Sequence, residues 1–150
     1  MNNNCASVAM ALLYHQNCFL MQLRDDKPSI LYPGHWGLFG GHLEAQETPQ
    51  QGLIREVHEE IEYDLQHPQY FHCYSDREAA RHIFYAPLTI EISALVQNEG
   101  QDLALVPIKS IQQGEFYSAK IEQTRKLGTI HRQILLDFVA FARSNQLNLS

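Results

Sequence analysis

Residues 40–63 read GGHLEAQETPQQGLIREVHEEIEY, and this stretch decides how the whole chain is interpreted. Its middle carries the clearest helix start in the sequence. Thr48 is a favourable N-cap, Pro49 suits the first helical position, and Gln51 stands three residues after Thr48, as in a capping box. The pattern therefore predicts a helix that begins at Pro49 and runs to about Ile61. Its core-facing stripe would consist of Leu53, Ile54, Val57 and Ile61.

The same helix carries three glutamates close together. Glu56, Glu59 and Glu60 stand at positions i, i+3 and i+4, so they share an arc of roughly 100°. Like charges at these spacings destabilise a helix by a few tenths of a kcal/mol per pair. Such a helix either presents a solvated acidic face or neutralises a cation, and the helix alone leaves both readings open. Carboxylate oxygens are the ligands that Mg²⁺ and Mn²⁺ prefer.

The residues that precede the helix favour the cation site. Gly40 and Gly41 leave the backbone bare, so that it can approach a ligand or offer a carbonyl oxygen to a metal. Glu47 and Arg55 are eight residues apart and frame the start of the helix, where they can pair and hold the loop against it. A solvated acidic face needs neither feature.

The spacing of Gly41, Glu47 and the run Arg55–Glu60 resembles the Nudix box of the Nudix hydrolases, which would cover Gly41–Tyr63 here. The resemblance implies an α/β/α sandwich with a mixed sheet between helices. It also implies hydrolysis of a nucleoside diphosphate linked to another moiety, with Mg²⁺ or Mn²⁺ required. A Nudix-fold module that binds or senses a nucleotide without cleaving it is the alternative. The complete set of glutamates favours the enzyme, because a binding module needs no proton acceptor.

The resemblance also implies a role for individual positions. The metal ligands would be the Gly40 carbonyl, Glu56, Glu59 and Glu60, and the site would be supported by Gly41, Glu47 and Arg55. Glu56 and Glu59 would be catalytic. A loop carboxylate accepts the proton of the attacking water in some members, and Glu99 is the first candidate for that role, with Asp102 second. Both are equally consistent with ordinary acidic loop residues.

Three further side chains are candidates for substrate contacts. Trp36 and Tyr85 could stack on a base, although aromatic residues in strands of this composition are more often buried in the core. His42 follows the paired glycines and could contact phosphate, although a partly exposed histidine without a role is the commoner case.

Two positions depart from the family pattern. Glu62 replaces the late glycine of the box, and Gln46 replaces the glycine that commonly precedes its first glutamate. A residue other than glycine in a left-handed cap costs about 1 kcal/mol. The alternative to a helix end near Ile61 is therefore a helix that continues past Glu62.

The rest of the chain predicts a mixed sheet and a second main helix. The expected elements are strands at 5–14, 18–24, 69–75, 82–88 and 103–106, a hairpin turn at 15–17, a loop at 24–34, a polar turn at 76–81, one helical turn at 107–111, and a helix at 129–144 with Ile130, Ile134, Phe138, Phe141 and Ala142 on one side. Residues 89–100 fit no element clearly. We find no repeat or linker, so the expected class is α/β (α+β) with a single Nudix hydrolase domain over residues 1–150.

Charge restricts the partners. The chain has 17 acidic and 11 basic residues, for a formal charge of −6. Residues 41–63 hold six glutamates against one arginine, whereas the rest of the chain has 11 acidic and 10 basic residues. The absence of a basic excess argues against binding a large nucleic acid. A divalent cation would cancel much of the local surplus and admit a small phosphorylated nucleotide.

Location and assembly follow from weaker signals. The three cysteines are odd in number and lack a CxxC spacing, which is typical of reduced thiols in a cytoplasmic protein. No lysine or arginine precedes Arg24, so the early apolar run lacks the charged start of a signal peptide. No apolar stretch approaches the roughly 20 residues that span a membrane. The sequence leaves the oligomeric state undetermined, and residues 89–96 are a candidate homodimer interface.

Overall fold

The computed structural model describes residues 5–150, which form strands, helices and one short 3-10 turn. The strands are β1 (Ala6–His15), β2 (Cys18–Leu23), β3 (Trp36–Gly37), β4 (Phe39–His42), β5 (Gln69–Ser75), β6 (Ala79–Pro87), β7 (Asp102–Pro107), β8 (Glu115–Ser118) and β9 (Gln123–Lys126). The helices are α1 (Pro49–Ile61), α2 (Ile108–Gln113) and α3 (Thr129–Ser144), and the 3-10 turn covers Ile92–Ala94. Within these residues, no helix is long and apolar enough to cross a membrane.

Strand β1 is the centre of a mixed sheet. It pairs in parallel with β6 along Ala6–Tyr14, and β6 pairs with β5 at the sheet edge. On its other side, β1 pairs antiparallel with β4 over Val8–Ala11 and with β2 near the hairpin at His15. Strand β2 in turn pairs with β3 and β7. The β8–β9 hairpin forms a separate two-stranded sheet.

The alternation of β1 divides the core into two layers. Ala9, Ala11 and Leu13 face α1, whereas Leu12 and Tyr14 face α3. The layer beneath α1 also buries Leu53, Val57 and Ile61, with Ile54 half-buried at its margin. The layer beneath α3 buries Ile134, Leu135, Phe138, Val139 and Ala142. The predicted α/β/α sandwich with a mixed sheet between helices is confirmed.

The local signals that predicted the first hairpin and the first helix are present in the structure. Gln16 and Asn17 connect β1 and β2 with φ values of 49° and 59°, as a primed hairpin turn requires. The Thr48 hydroxyl accepts from the Gln51 amide at 3.2 Å, and the Gln51 side chain accepts from the Thr48 amide at 3.0 Å. Both arms of the capping box are therefore formed.

The predicted end of α1 near Ile61 is confirmed, and the alternative that it continues past Glu62 is wrong. The helix ends at Ile61, and Glu62 adopts the left-handed conformation with φ 52° and ψ 39°. The Glu62 amide donates to the His58 carbonyl at 2.9 Å, and the Asn98 side chain donates to the Glu62 carboxylate at 3.2 Å and to the Glu59 carbonyl at 2.9 Å. These bonds offset the conformational cost and close the helix.

Other boundaries also differ from the sequence-based expectation. Strand β6 begins at Ala79, three residues early, because the Asp76 carboxylate accepts from the amides of Glu78 and Ala79 and closes a tight turn. The expected helical turn at 107–111 is α2, which extends to Gln113. The β8–β9 hairpin was not predicted, because its short strands are polar and mostly exposed.

Replacing Gln46 by glycine should stabilise the fold. Gln46 is exposed and has a φ of 65°, a conformation that glycine adopts without the steric cost of a Cβ atom. We expect Gln46→Gly to raise the free energy of unfolding by about 1 kcal/mol, as measured by urea denaturation. The matched control is Ala45→Gly, at an exposed neighbour without a positive φ, which should be neutral or destabilising. Equal effects of the two substitutions would contradict the strain at Gln46.

Candidate functional site

The guanidinium of Arg55 joins the loop before α1 to the helix. Its Nε donates to Glu47 Oε2 at 2.8 Å and its Nη2 donates to Glu47 Oε1 at 2.9 Å, a bidentate pair. Nη2 also donates to the His42 carbonyl at 3.2 Å. Hydrogen bonds from Arg55 and from the Glu44 amide lower the pKa of Glu47 to about 2. The supporting pair expected between Glu47 and Arg55 is present.

Gly52 makes this pairing possible, and sequence reasoning missed it. A Cβ atom at Gly52 would overlap the Leu43 side chain and lie 2.7 Å from Glu47 Oε1. The signal was available, because glycine in the interior of a helix costs about 1 kcal/mol relative to alanine and calls for a packing reason.

The third nitrogen of Arg55 holds two of the proposed metal ligands. Nη1 donates to Glu56 Oε1 at 3.0 Å and to both carboxylate oxygens of Glu59 at 3.3 Å. The Glu56 carboxylate lies directly against Gly41, where a Cβ atom would be 2.6 Å from its carboxyl carbon. Burial raises the pKa of Glu56; Arg55 opposes that shift, and the charges of Glu59 and Glu99 add to it.

Glu60 is the most deeply buried of the three glutamates, at 3% exposure. Its Oε1 accepts from the Gly40 amide at 3.2 Å and its Oε2 accepts from the Gln22 side chain at 3.1 Å. Gly40 has a φ of 144°, and a Cβ atom there would overlap the Ala9 carbonyl, so only glycine fits. Burial, and then the charge of Glu99, raises the pKa of Glu60 to about 8. The Gly40 contact involves its N–H, and the role of its carbonyl stays a prediction.

The loop that carries Glu99 is tied to both α1 and β2. The Asn98 amide donates to the Glu60 carbonyl at 3.0 Å, and the Gln101 amide donates to the Leu23 carbonyl at 2.7 Å. These anchors place Glu99 in the same cavity as Glu56 and Glu60. Asn98 had no signal in the sequence, because its partners are the backbone of a distant helix end.

Asp102, the second candidate for a loop carboxylate, has a structural role instead. Its Oδ2 accepts from the Ser118 hydroxyl at 2.7 Å and its Oδ1 accepts from the Leu103 amide at 2.8 Å. It does not line the cavity.

The cavity has a volume of about 310 Å³ and continues from the α1 carboxylates past β4 to the face of the sheet beneath α3. Its acidic end holds Glu56, Glu60 and Glu99, and its other end holds Arg24, Arg81 and His131. The apolar lining consists of Ala6, Val8, Met10, Leu31, Leu38, Ala79 and Ile130. An acidic end, an apolar wall and a cationic end together suit a small ligand with a phosphate chain and a planar ring.

Two of the expected substrate contacts lie elsewhere. Trp36 is fully buried and donates its indole N–H to the Phe116 carbonyl at 3.0 Å, whereas Tyr85 packs on Phe138 with ring centroids 5.0 Å apart. Both belong to the core beneath α3 and neither lines the cavity. His42 does line it. The aromatic ring at the cavity is Tyr32, which sequence reasoning assigned to a loop.

The chemistry of the acidic end fits a hard divalent cation. Within residues 5–150, no three His, Cys, Asp or Glu side chains are already grouped as ligands of one ion. Arg55 holds Glu56 and Glu59, and Gly40 and Gln22 hold Glu60, so these carboxylates are engaged with donors. Burial is the main cause of the raised pKa values of Glu56 and Glu60, and Mg²⁺ or Mn²⁺ would stabilise their charged forms once the side chains turn towards it.

His131 is a buried cavity residue that the sequence did not single out. Its Nδ1 accepts from the Leu38 amide at 3.0 Å, which fixes α3 to the segment between β3 and β4. Burial, together with the charges of Arg24 and Arg81, lowers the pKa of His131 to about 3. The imidazole is therefore neutral in the folded protein at neutral pH.

Comparisons with known proteins identify the family and the fold. The family model for the NUDIX domain matches residues 4–127. An 8-oxo-dGTP diphosphatase of Proteus vulgaris is 45% identical over 51 residues, a segment that spans 34% of this chain and only 43% of that protein. A Nudix hydrolase family member from Chromobacterium violaceum superposes with a TM-score of 0.68 and 20% identity, covering 95% of this chain and 81% of the other. A MutT protein from Methanosarcina mazei Go1 gives 0.67 and 19%, covering 97% and 98%. At these identities the structures show a shared fold.

Acid stability should depend on His131. Its folded pKa lies below the unfolded value of 6.5, so the unfolded chain binds more protons between pH 6.5 and about 3. Stability should fall as the pH falls through this window, by up to about 1.4 kcal/mol per pH unit from this group. His131→Asn keeps an acceptor for the Leu38 amide and removes the titration, so its unfolding free energy should depend less on pH. Urea denaturation from pH 7 to pH 4 measures this, with exposed His72→Gln as the control. Identical slopes for His131→Asn and the wild type would contradict it.

Proposed function

The chain belongs to the Nudix family, and from that premise we propose that it is a divalent-metal-dependent hydrolase. The reaction would cleave the pyrophosphate bond of a nucleoside diphosphate linked to another moiety. The observation that carries the proposal is the convergence of Glu56, Glu60 and Glu99 in one cavity beside the bare backbone of Gly40 and Gly41. Residues 1–150 would form a single hydrolase domain.

The metal would be held at the acidic end of the cavity. We propose Glu56, Glu59, Glu60 and the Gly40 carbonyl as ligands of Mg²⁺ or Mn²⁺. Held by these residues, such an ion would supply a coordinated water of lowered pKa and positive charge against the pyrophosphate. Nudix hydrolases in general use divalent metals, and the burial of the Glu60 carboxylate in one cavity with Glu56 and Glu99 supports the same requirement here.

The side chains around the site would have distinct tasks. Arg55 bonds to the carboxylates of Glu56, which lines the cavity, and of Glu59, which is exposed and does not line it. The amides of Gly40 and Gln22 fix the orientation of Glu60. Glu56 is a suitable acceptor for the proton of the attacking water, because its carboxylate lines the cavity directly against Gly41. Glu99 is the second candidate acceptor, from the opposite loop.

The substrate would be a small nucleotide. The identity to an 8-oxo-dGTP diphosphatase within one segment supports a nucleoside triphosphate, and the cavity volume of about 310 Å³ lies at the lower end of ligand sites. The acidic surface argues against a large nucleic acid. Three free cysteines are consistent with a cytoplasmic location, and the exposed Ile90 and Val96 keep residues 89–96 a candidate homodimer contact.

A substrate panel tests the activity. Nucleoside triphosphates, nucleotide sugars and dinucleotides should be assayed with Mg²⁺, with Mn²⁺ and after chelation. We expect turnover of at least one class, loss of turnover on chelation, and recovery with either ion. Glu59→Gln should lower kcat by about 100-fold or more, because it removes a charge from the metal site.

The control for this panel is Glu62→Gln on the same helix end. Glu62 bonds to Asn98 outside the cavity, and a glutamine can still accept that bond, so activity should be retained. Nucleotide binding without hydrolysis of any substrate would instead indicate the sensing module. Equal activity of Glu59→Gln and the wild type would contradict the site assignment.

Gly41 provides a second test that removes no carboxylate. Gly41→Ala would place a Cβ atom 2.6 Å from the carboxyl carbon of Glu56 and displace that side chain. We expect hydrolysis to fall by about 100-fold or more while the melting temperature changes little, because Glu56 is at the margin of the core. At Gly37 the nearest atoms to a new Cβ are at 3.4 Å, an ordinary contact, so Gly37→Ala should retain activity. Retained activity of Gly41→Ala would show that the position of Glu56 is not critical.

A further inference from the structure

One nitrogen of His131 faces the cavity without a partner. Nδ1 accepts from the Leu38 amide, whereas Nε2 makes no hydrogen bond with residues 5–150. Within residues 5–150, every side-chain nitrogen or oxygen that is fully buried has a hydrogen-bond partner. Because Nε2 has none, it is not fully buried and borders open space. His131 is only 4% exposed, and the open space that it lines is the cavity.

The bond to Leu38 fixes the tautomer. Because Nδ1 receives an N–H, the proton of the neutral ring is on Nε2. Burial and the neighbouring Arg24 and Arg81 keep the ring neutral, so Nε2 is a permanent donor directed at whatever occupies the cavity. Contact of the ring with Tyr32, at a centroid distance of 5.6 Å, restricts its rotation.

The surroundings of His131 identify the part of a ligand that it would contact. The charges that act on it are those of Arg24, Arg81 and His35, whereas those that act on Glu56 are Arg55, Glu59 and Glu99, and those that act on Glu60 are Glu99 and Glu56. His131 bonds to Leu38 from the α3 side of the sheet, whereas Glu60 bonds to Gly40 from the α1 side. His131 therefore lies apart from the carboxylates that would hold the metal and, through it, the phosphates.

Around His131, the cavity is lined by hydrogen-bond donors and by apolar side chains. Arg81 has a side chain that is 10% exposed, with one nitrogen bonded to Asp76 at 2.9 Å. Val8, Met10, Leu38 and Ile130 supply apolar surface around it, which suits a flat ring better than a second phosphate. Glu78 is the carboxylate at this end, and it is exposed at the rim.

We propose that His131 determines base specificity by donating its Nε2–H to a keto oxygen of the nucleobase. The ligand class is a nucleotide with an oxo group where adenine or cytosine has an amino group. The amino group of adenine or cytosine is itself a hydrogen-bond donor and could not accept from His131 Nε2–H. The desolvated N–H would then remain unpaired, which costs binding free energy. This inference rests on the proposed function for the nucleotide, but it can be tested without catalysis.

The test compares bases that differ at this group. Binding of IMP and AMP, and of UMP and CMP, should be measured by calorimetry with Mg²⁺ present, since monophosphates are not cleaved. We expect the oxo member of at least one pair to bind about tenfold more tightly to the wild type. His131→Asn keeps the acceptor for Leu38 and loses the donor, so that preference should fall to within about twofold. His131→Gln can extend an amide N–H to the position of Nε2 and should retain most of it.

Several outcomes would overturn the proposal. Equal affinities of the wild-type protein for both members of each pair would overturn it, whether or not the variants fold. A preference for the oxo nucleotide that His131→Asn leaves intact would also overturn it. Adenosine 3′,5′-bisphosphate binding more tightly than AMP, with the gain lost in His131→Asn, would assign His131 to a second phosphate instead. A failure of the proposed function is distinguishable, because it would abolish hydrolysis and leave the IMP preference in place.

Discussion

The bidentate pair between Arg55 and Glu47 is the interaction on which the site depends. It closes the loop between β4 and α1, at distances of 2.8 and 2.9 Å, and Gly52 provides the space for it. The remaining guanidinium nitrogen then positions the carboxylates of Glu56 and Glu59. One arginine thus fixes both the geometry of the backbone around Gly41 and the side chains that face it.

This arrangement concentrates negative charge where the protein has few means to compensate it. Residues 41–63 contain six glutamates and a single arginine, and Glu60 is almost fully buried. Burying a carboxylate is costly unless it is paired, and the hydrogen bonds from Gly40 and Gln22 offset only part of that cost, since the pKa of Glu60 is still raised to about 8. A core selected for stability alone would not retain such a group.

The sequence predicted those parts of the structure that local chemistry determines. The N-cap at Thr48, the buried face of α1 and the proximity of Glu47 to Arg55 follow from spacing along one helix. Features that depend on contacts between distant segments could not be predicted from the sequence. Glu62 closes the helix in a left-handed conformation, where Asn98 reaches it from another loop. His131 resembled any polar residue of an amphipathic helix, since its partner is a backbone amide 93 positions away.

The two ends of the cavity come from opposite layers of the sandwich, and this separates two kinds of specificity. The carboxylates belong to α1, which packs on one face of the sheet, whereas His131 belongs to α3 on the other face. Strand β4 carries the connection, because Leu38 directly before it bonds to His131 while Gly40 within it bonds to Glu60. Substitutions in the layer beneath α3 can therefore change which ring is bound without altering the carboxylates. Any shift of β4 that moved Gly40, by contrast, would disturb both ends, which makes this four-residue strand the common constraint on chemistry and recognition.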